Sequence, residues 1–416
     1  MINALKAKTK SNLFSDLNNA LYFVLFVSLK LKLNFIKEKN AQRLLNLFFL
    51  SNCMDEIERV HEVLEYKEKI VVAQIAPALR VSIGEEFGFP VGKILTKKFV
   101  GALKQAGFQK VFDTSVAADV VTVEEGIEFI SRLEKKENLP LFTSCCPGSM
   151  AFIENKHSEL VYHFCTVKSP QQTMGALIKT YYAKKMNIPQ EKIFVVSIMP
   201  CAVKKFESRR PEMDFNGIHH VDAVLTTKDI AVLLKNLKID LNNVKENDFD
   251  SLLENASGAG QIFGVTGGVS ESLLRFVSHK LEPEKKKIEF KKLRGKEGRR
   301  EIELSIAGKK LKIAIVHGLQ NLNNLILDKN EFDSFQVIEM MACPGGCIGG
   351  GGQPVSTPEI REKRIQALRK IDSKEKVRVS SDNPEVKELY KSFLKNPGSE
   401  TAKELLHTRR ICFKCD

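Results

Sequence analysis

Glu339-Met-Met-Ala-Cys-Pro-Gly-Gly-Cys-Ile-Gly-Gly-Gly-Gly-Gln-Pro354 follows an apolar run and packs two cysteines, six glycines and two prolines into sixteen residues. An ordinary turn needs far less glycine. So many positions without a Cβ mark a loop that must approach something closely or take positive φ. Cys343 and Cys347 stand four apart in this loop. Two thiolates in so permissive a setting point to a soft metal centre, iron-sulfur or zinc. One pair supplies two ligands, so the others must come from elsewhere in the chain.

Working outward from this loop, short apolar runs occur at 70–75, 110–113, 139–143, 193–199, 221–226, 311–317 and 335–341. Between them lie stretches of helical length and periodicity at 55–64, 92–106, 123–137, 170–186 and 227–237. The alternation predicts an α/β fold with parallel or mixed sheets covered by helices, a class that places ligands at the carboxyl ends of strands. The cysteines follow that rule. Cys145 and Cys146 come directly after one predicted strand, Cys201 after another and Cys343 after a third.

Three cysteine loops therefore stand together: Thr143-Ser-Cys-Cys-Pro-Gly148, Met199-Pro-Cys-Ala-Val-Lys-Lys-Phe-Glu207 and Met340-Met-Ala-Cys-Pro-Gly-Gly-Cys347. Four thiolates from them suffice for one cubane. Cys145 and Cys146 are neighbours whose side chains point in different directions, which leaves one of the pair for another role. An isolated cysteine is more often a buried small hydrophobe, but three strand-end loops sharing Cys-Pro or Pro-Cys argue against that reading. A helical segment also sets Glu125, Glu128 and Arg132 at i, i+3 and i+7 on one face. By itself such a face reads as exposed and salt-bridged.

At 416 residues, 43% hydrophobic and 28% charged, the chain has ample material for one large or two medium domains. Nine cysteines without a small secreted framework fit a reducing, cytoplasmic setting rather than a disulfide scaffold. Of the net charge of +13, residues 1–53 contribute +6, from eight Lys/Arg against two Asp/Glu. That segment is read as a divergent helical extension. Its apolar run at 20–29 is too short to span a bilayer, no cleavage site follows it, and organelle targeting stays open. Cys53 there is read as inert, and the terminal pair Cys412 and Cys415 as a tail. The run 284–300, with nine Lys/Arg against three Asp/Glu, reads as a solvated face or a docking surface for an acidic protein. Residues 301–307 alternate beside it like a hairpin strand. Nucleic-acid binding is not expected, since no stacking aromatics or zinc-finger spacing accompany the lysines, and neither is membrane contact.

The loops TSCCPG, MPCxxKxxE and ACPGGCxxGGGQP, in this order and at these separations, resemble the three signatures of the catalytic domain of iron-iron (FeFe) hydrogenases. The resemblance runs from about residue 54 to about 408. It includes Ala76-Pro77, Gly84-Glu-Glu-Phe87, Lys168-Ser-Pro-Gln-Gln172, Phe263-Gly-Val-Thr-Gly-Gly268 and Leu405-Leu-His-Thr408. It implies a two-lobed domain with a small mixed or parallel sheet in each lobe and the active site between the lobes. The expected divisions are 54–190, 191–354 and a C-terminal helical segment at 355–416. It also implies reversible hydrogen chemistry, 2H⁺ + 2e⁻ = H₂, at an H-cluster made of a 4Fe-4S cubane and a two-iron subcluster with CO, CN and azadithiolate ligands.

Carried onto this chain, the resemblance makes Cys146, Cys201, Cys343 and Cys347 the cubane ligands, with Cys347 bridging to the two-iron unit. Cys145 becomes the proton-relay thiol. Lys204 faces a cyanide and Glu207 fixes it. Met199 and Met341 line the two-iron unit, and Ala76, Pro77 and Gln171 belong to the cofactor's surroundings. The relay runs from Cys145 through Glu125, residue 165 and Glu128 to Arg132 at the surface. Two departures stand out: Cys165 occupies a position where serine is expected, with Thr166 next to it, and Ser149 stands where Trp is common. The implied partners are ferredoxin or a similar acidic low-potential carrier and the hydrogenase maturation proteins. A slow hydrogen sensor, a non-catalytic iron-sulfur assembly protein and a structural zinc protein are the alternatives.

Overall fold

The computed structural model describes residues 56–408 except 215–216, 252–254, 283, 285–292 and 296. The extension 1–53 with Cys53, the centre of the basic run 284–300, and Cys412 and Cys415 lie outside the described residues. A helix over 56–66 opens the described part, close to the expected 55–64.

Two four-stranded sheets organise the chain. The first has the order β2-β1-β4-β5, all parallel, from Lys110–Asp113, Ile70–Ile75, Ile193–Met199 and Ala223–Thr226. Strands β1 and β4 are apolar nearly throughout because helices cover both faces, and such strands read as continuous hydrophobic runs. The second sheet has the order β3-β8-β7-β6, from Leu141–Phe142, Val337–Met341, Lys309–His317 and Arg299–Ile306. Here β6 and β7 form an antiparallel hairpin. Its turn residues Ala307 and Gly308 both have positive φ, 50° and 74°, as a tight two-residue hairpin requires.

Each sheet draws strands from both sides of residue 190. The expected division there therefore separates segments of chain and not sheets. Alternation along the strands explains the layering. Val71, Ala73 and Ile75 face one core with Phe99, Leu103, Ile230 and Leu234. Val72, Phe112 and Val195 face a second core shared with Ile313, Ile315 and Val337 of the other sheet.

That shared core is filled by the helix Thr114–Lys135, buried almost completely over its first thirteen residues. Periodicity alone places its start at 123, nine residues late, because a helix buried all round has no polar face to report. After Pro354 the chain continues as helices, among them Pro358–Lys374 and Glu400–Leu406. None of the described helices is long and apolar enough to cross a membrane.

The helix Pro358–Lys374 braces the glycine-rich loop. Its fully buried Arg364 pairs with Glu85 at 2.8 and 2.6 Å and donates to the carbonyls of Ile348 and Val355, both at 3.2 Å. Breaking a buried pair of this kind costs about 3–5 kcal/mol. Arg364→Ala is expected to lower the unfolding free energy from urea titration by that amount, with most of the loss recovered in the Arg364→Met/Glu85→Leu double variant.

Candidate functional site

The three cysteine loops leave the carboxyl ends of β3, β4 and β8. Strands β3 and β8 are adjacent in the second sheet, while β4 belongs to the first. The site therefore lies where the two sheets meet. Loop contacts hold it there: Gly352 N donates to Pro200 O at 3.0 Å, Thr266 N to Gly345 O at 3.0 Å, and Ala342 N to Cys146 Sγ at 3.4 Å. A Cβ on Gly350 would lie 2.3 Å from Pro200 O, and one on Gly346, at φ 87°, would lie 2.8 Å from Thr266 N. The glycines are needed because three backbones must crowd together behind the thiols.

Cys145, Cys146, Cys201, Cys343 and Cys347 are all free thiols. Burial makes Cys145, Cys201, Cys343 and Cys347 weaker acids, and neighbouring sulfurs add to the effect. Cys201 is pushed up to about 12 by desolvation and then by Cys146 and Cys343. Cys347 is raised further by burial and by Cys146, Cys201 and Cys343. Cys343 is raised by burial and Cys146. Each thiolate thus makes its neighbours harder to ionise, the condition that a multiply charged cation relieves. Among the described residues no three His, Cys, Asp or Glu groups form a site for a single metal ion. Ser149, buried at the position where Trp is common, donates its hydroxyl to Cys146 Sγ at 3.5 Å.

A buried cation faces the thiols. Lys204, on the short helix Val203–Glu207, donates to Glu207 Oε2 at 2.8 Å and to the Cys145 carbonyl at 3.1 Å. Desolvation works against its charge, but Glu207 and the thiols at 145 and 201 hold its pKa above the ordinary lysine value. Glu207 also accepts from Ser169 Oγ at 2.9 Å and Gln171 Nε2 at 3.1 Å. Ala76 N donates to Ile198 O at 3.1 Å, which sets Ala76-Pro77 beside Met199-Pro200. Met341 sits in the core that Cys145 and Cys146 border, and Met199 is buried beneath the first sheet's end.

On the other side of Cys145 a line of titratable groups leads outward. Burial raises the Cys145 thiol well above its usual range, with contributions from Cys347, Cys146 and Glu125. Cys165 is fully buried and likewise raised by desolvation, then by Glu128 and Glu125. Its Sγ lies 3.4 Å from Glu128 Oε2. Glu128 Oε1 accepts from Arg132 at 2.6 Å. Arg132, expected at the surface, is largely enclosed, with 11% of its side chain exposed. It also donates to the carbonyls of Asn138, His163 and Phe164 at 3.0, 2.9 and 2.7 Å, contacts that helical spacing cannot reveal.

Sequence reasoning assigned no role to His407 or Glu124. Thr166 Oγ1 meets Glu128 Oε2 at 2.7 Å and His407 Nδ1 at 2.8 Å, and His407 Nε2 meets Glu124 Oε2 at 3.0 Å. The available signal was the Leu-Leu-His-Thr stretch near the chain's end, which carries no spacing that points 241 residues back.

Comparisons with known proteins agree with this geometry. The family model for the iron only hydrogenase large subunit, C-terminal domain, matches residues 69–351, and that for the iron hydrogenase small subunit matches 358–409. The NADP-reducing hydrogenase subunit HndD of Solidesulfovibrio fructosivorans is 44% identical over 85% of this chain, which spans 62% of that protein. The cytosolic Fe-S cluster assembly factor narfl of Danio rerio is 30% identical over 84% of the chain and 88% of its own length. The solved structure of apo [FeFe]-hydrogenase HydA1 from Chlamydomonas reinhardtii superposes with a TM-score of 0.74 at 34% identity, covering 83% of this chain and 94% of that one.

Removing the carboxylate beneath Lys204 leaves a buried ammonium unpaired. Glu207→Gln is expected to destabilise the protein by about 3–5 kcal/mol at neutral pH, measured by urea unfolding. The sign follows from the raised pKa of Lys204: the pair's contribution is complete below the ordinary lysine range and is lost as pH rises through the folded value. The gap between wild type and variant should therefore close at strongly alkaline pH.

Proposed function

Because this chain belongs to the iron-only hydrogenase family, we propose that it catalyses the reversible reaction 2H⁺ + 2e⁻ = H₂ at an H-cluster. The observation that carries this reading is the gathering of four thiols, of which Cys201, Cys343 and Cys347 are raised by burial and by their neighbours, with a fifth, Cys145, which leads away from them into a line of carboxylates. The donor set fits the group. Cys146, Cys201, Cys343 and Cys347 would hold a 4Fe-4S cubane, and Cys347 would carry the link to the two-iron subcluster with its CO, CN and azadithiolate ligands. When bound, this group supplies the redox chemistry of hydrogen making and splitting.

The chain's own residues do the rest. Lys204 offers a buried ammonium to an anionic ligand, and charge-assisted hydrogen bonds of this kind are the strong ones. Glu207, Gln171 and Ser169 fix its direction. Met199 and Met341, both buried, present apolar walls that exclude water. Hydrogen bonds to Cys146 from Ser149 and from the Ala342 amide remove electron density from that sulfur, a lever on cluster potential. Protons pass between Cys145 and the outside by way of Glu125, Cys165 and Glu128. A thiol at 165 is a weaker hydrogen-bond partner than a hydroxyl, so this step is slow compared with one through serine. Electrons come from a ferredoxin-like acidic carrier drawn to a basic chain.

The likeness to narfl supports a second reading, a role in iron-sulfur assembly without turnover. Cys145 beside Lys204, with a carboxylate line behind it, favours catalysis over that reading and over a slow hydrogen sensor. The test is anaerobic hydrogen evolution with a reduced low-potential donor, after reconstitution with iron, sulfide and a synthetic two-iron cofactor. Turnover is expected, and Cys145→Ala should lower it at least about 100-fold, the lower end of what a positioned proton carrier contributes. Cys165→Ser should match or exceed wild type. A loaded protein without turnover would favour the sensor or a relay broken at Cys165, and a reconstituted cubane that neither retains the two-iron unit nor turns over would favour the assembly reading.

A further inference from the structure

The proton line ends, by geometry, at a residue that cannot exchange protons. An arginine guanidinium does not deprotonate in proteins. Arg132 is moreover committed to Glu128 and to four backbone carbonyls. It can hold Glu128 in place but cannot carry a proton away. A cavity of about 900 Å³ opens beside it, lined by Glu124, Glu128, Arg132, Thr166, Lys403 and His407.

Hydrogen-bond accounting orders the groups in that cavity. Glu124 accepts from Tyr390 Oη at 2.6 Å and from Gly398 N at 3.0 Å. Burial beside Glu124 holds the Tyr390 phenol well above its usual range, so it stays a donor. With donors on both oxygens, Glu124 is satisfied as a carboxylate, which makes His407 Nε2, at 3.0 Å, an N–H donor. Two states remain for Nδ1. In the neutral ring it accepts from the Thr166 hydroxyl at 2.8 Å. In the cationic ring it donates to Thr166 Oγ1, and the hydroxyl proton turns to Glu128 Oε2 at 2.7 Å.

These two states differ by one transferable proton. When Glu128 is protonated, its proton moves to Thr166 Oγ1 as the hydroxyl proton moves to His407 Nδ1. One O–H bond forms and one breaks at Thr166, the acid becomes a carboxylate, the imidazole becomes an imidazolium, and no electrons move. Histidine is the side chain whose ordinary pKa lies between 5 and 8. His407 is also reachable by water, with 13% of its side chain exposed. Charged neighbours face it on every side: Glu124 directly, Glu128 through Thr166, and Arg132, Glu400, Lys403 and Glu404 around the cavity.

We propose that His407 is the proton-exchange residue at the solvent end of the relay, reached from Glu128 through Thr166, while Arg132 is a positioning residue. This rests on the hydrogenase reading for its purpose but not for its proton chemistry.

The reconstituted enzyme tests it in two ways. In hydrogen evolution, His407→Ala is expected to lose about tenfold, less than a full relay break because water in the cavity still reaches Glu128. Added imidazole, which the cavity can admit, should restore most of the rate. His407→Gln keeps a side chain able to hydrogen-bond but has no transferable proton, and it should be as slow as His407→Ala. A fully active Gln variant, or no response to imidazole, would overturn the proposal and leave His407 a structural tether.

The second readout does not need turnover. The imidazole nitrogen resonances of His407, in ¹⁵N-histidine protein, should titrate together with an infrared carboxyl band that disappears in Glu128→Gln. Thr166→Val should uncouple the two. A His407 resonance that does not move with pH overturns the proposal even if the enzyme turns over. If the wild type makes no hydrogen, the function reading fails and the coupled titration still decides the proton chemistry.

Discussion

Four thiols and a buried ammonium must share one low-dielectric space, and the rest of the fold is arranged around that constraint. Each sulfur makes its neighbours harder to ionise, so the loops gain nothing from closeness until a cation is present. They are held together by other means. Glycines let Pro200, Gly350 and Thr266 approach within contact distance. Arg364 and Glu85 lock the outgoing chain from behind. The site lies at the junction of two sheets because its three cysteine loops follow strands of both. Here β3 and β8 come from one sheet and β4 from the other.

The opposite wall of the site has a different physics. It is a line of titratable groups built on one helix, Thr114–Lys135, which brings Glu124, Glu125, Glu128 and Arg132 to successive depths. The inner members are buried among apolar side chains, and the outer ones border the cavity of about 900 Å³. Burial raises the Cys145 and Cys165 thiols well above neutrality. Both therefore rest protonated and uncharged. Two departures from the family pattern, Cys165 and Ser149, lie in contact with Glu128 and with Cys146, the groups that the proposed function makes relay and cluster ligand.

Much of this was legible in the residues. Strands β1, β2 and β4 match their expected bounds to the residue, because fully buried parallel strands read as apolar runs bounded by turn formers. The cysteine loops were visible for the same reason: each follows such a run. What the sequence hid is long-range. The interleaving of strands across residue 190 depends on pairing that no local pattern encodes. The helix Thr114–Lys135 appeared nine residues short because its buried start lacks a polar face. Thr166 and His407 meet across 241 residues, and the enclosure of Arg132 depends on carbonyls from a loop that helical spacing does not foresee.

The most direct test of the central claim is an infrared spectrum of the protein after iron-sulfide reconstitution, incubation with the synthetic two-iron complex and removal of the excess. The account requires retained carbonyl and cyanide bands, shifted from those of the free complex and absent from a Cys347→Ala control. If the bands wash away, or persist unchanged in Cys347→Ala, then the thiols joined at the two sheets do not hold the two-iron unit, and the account is wrong at its centre.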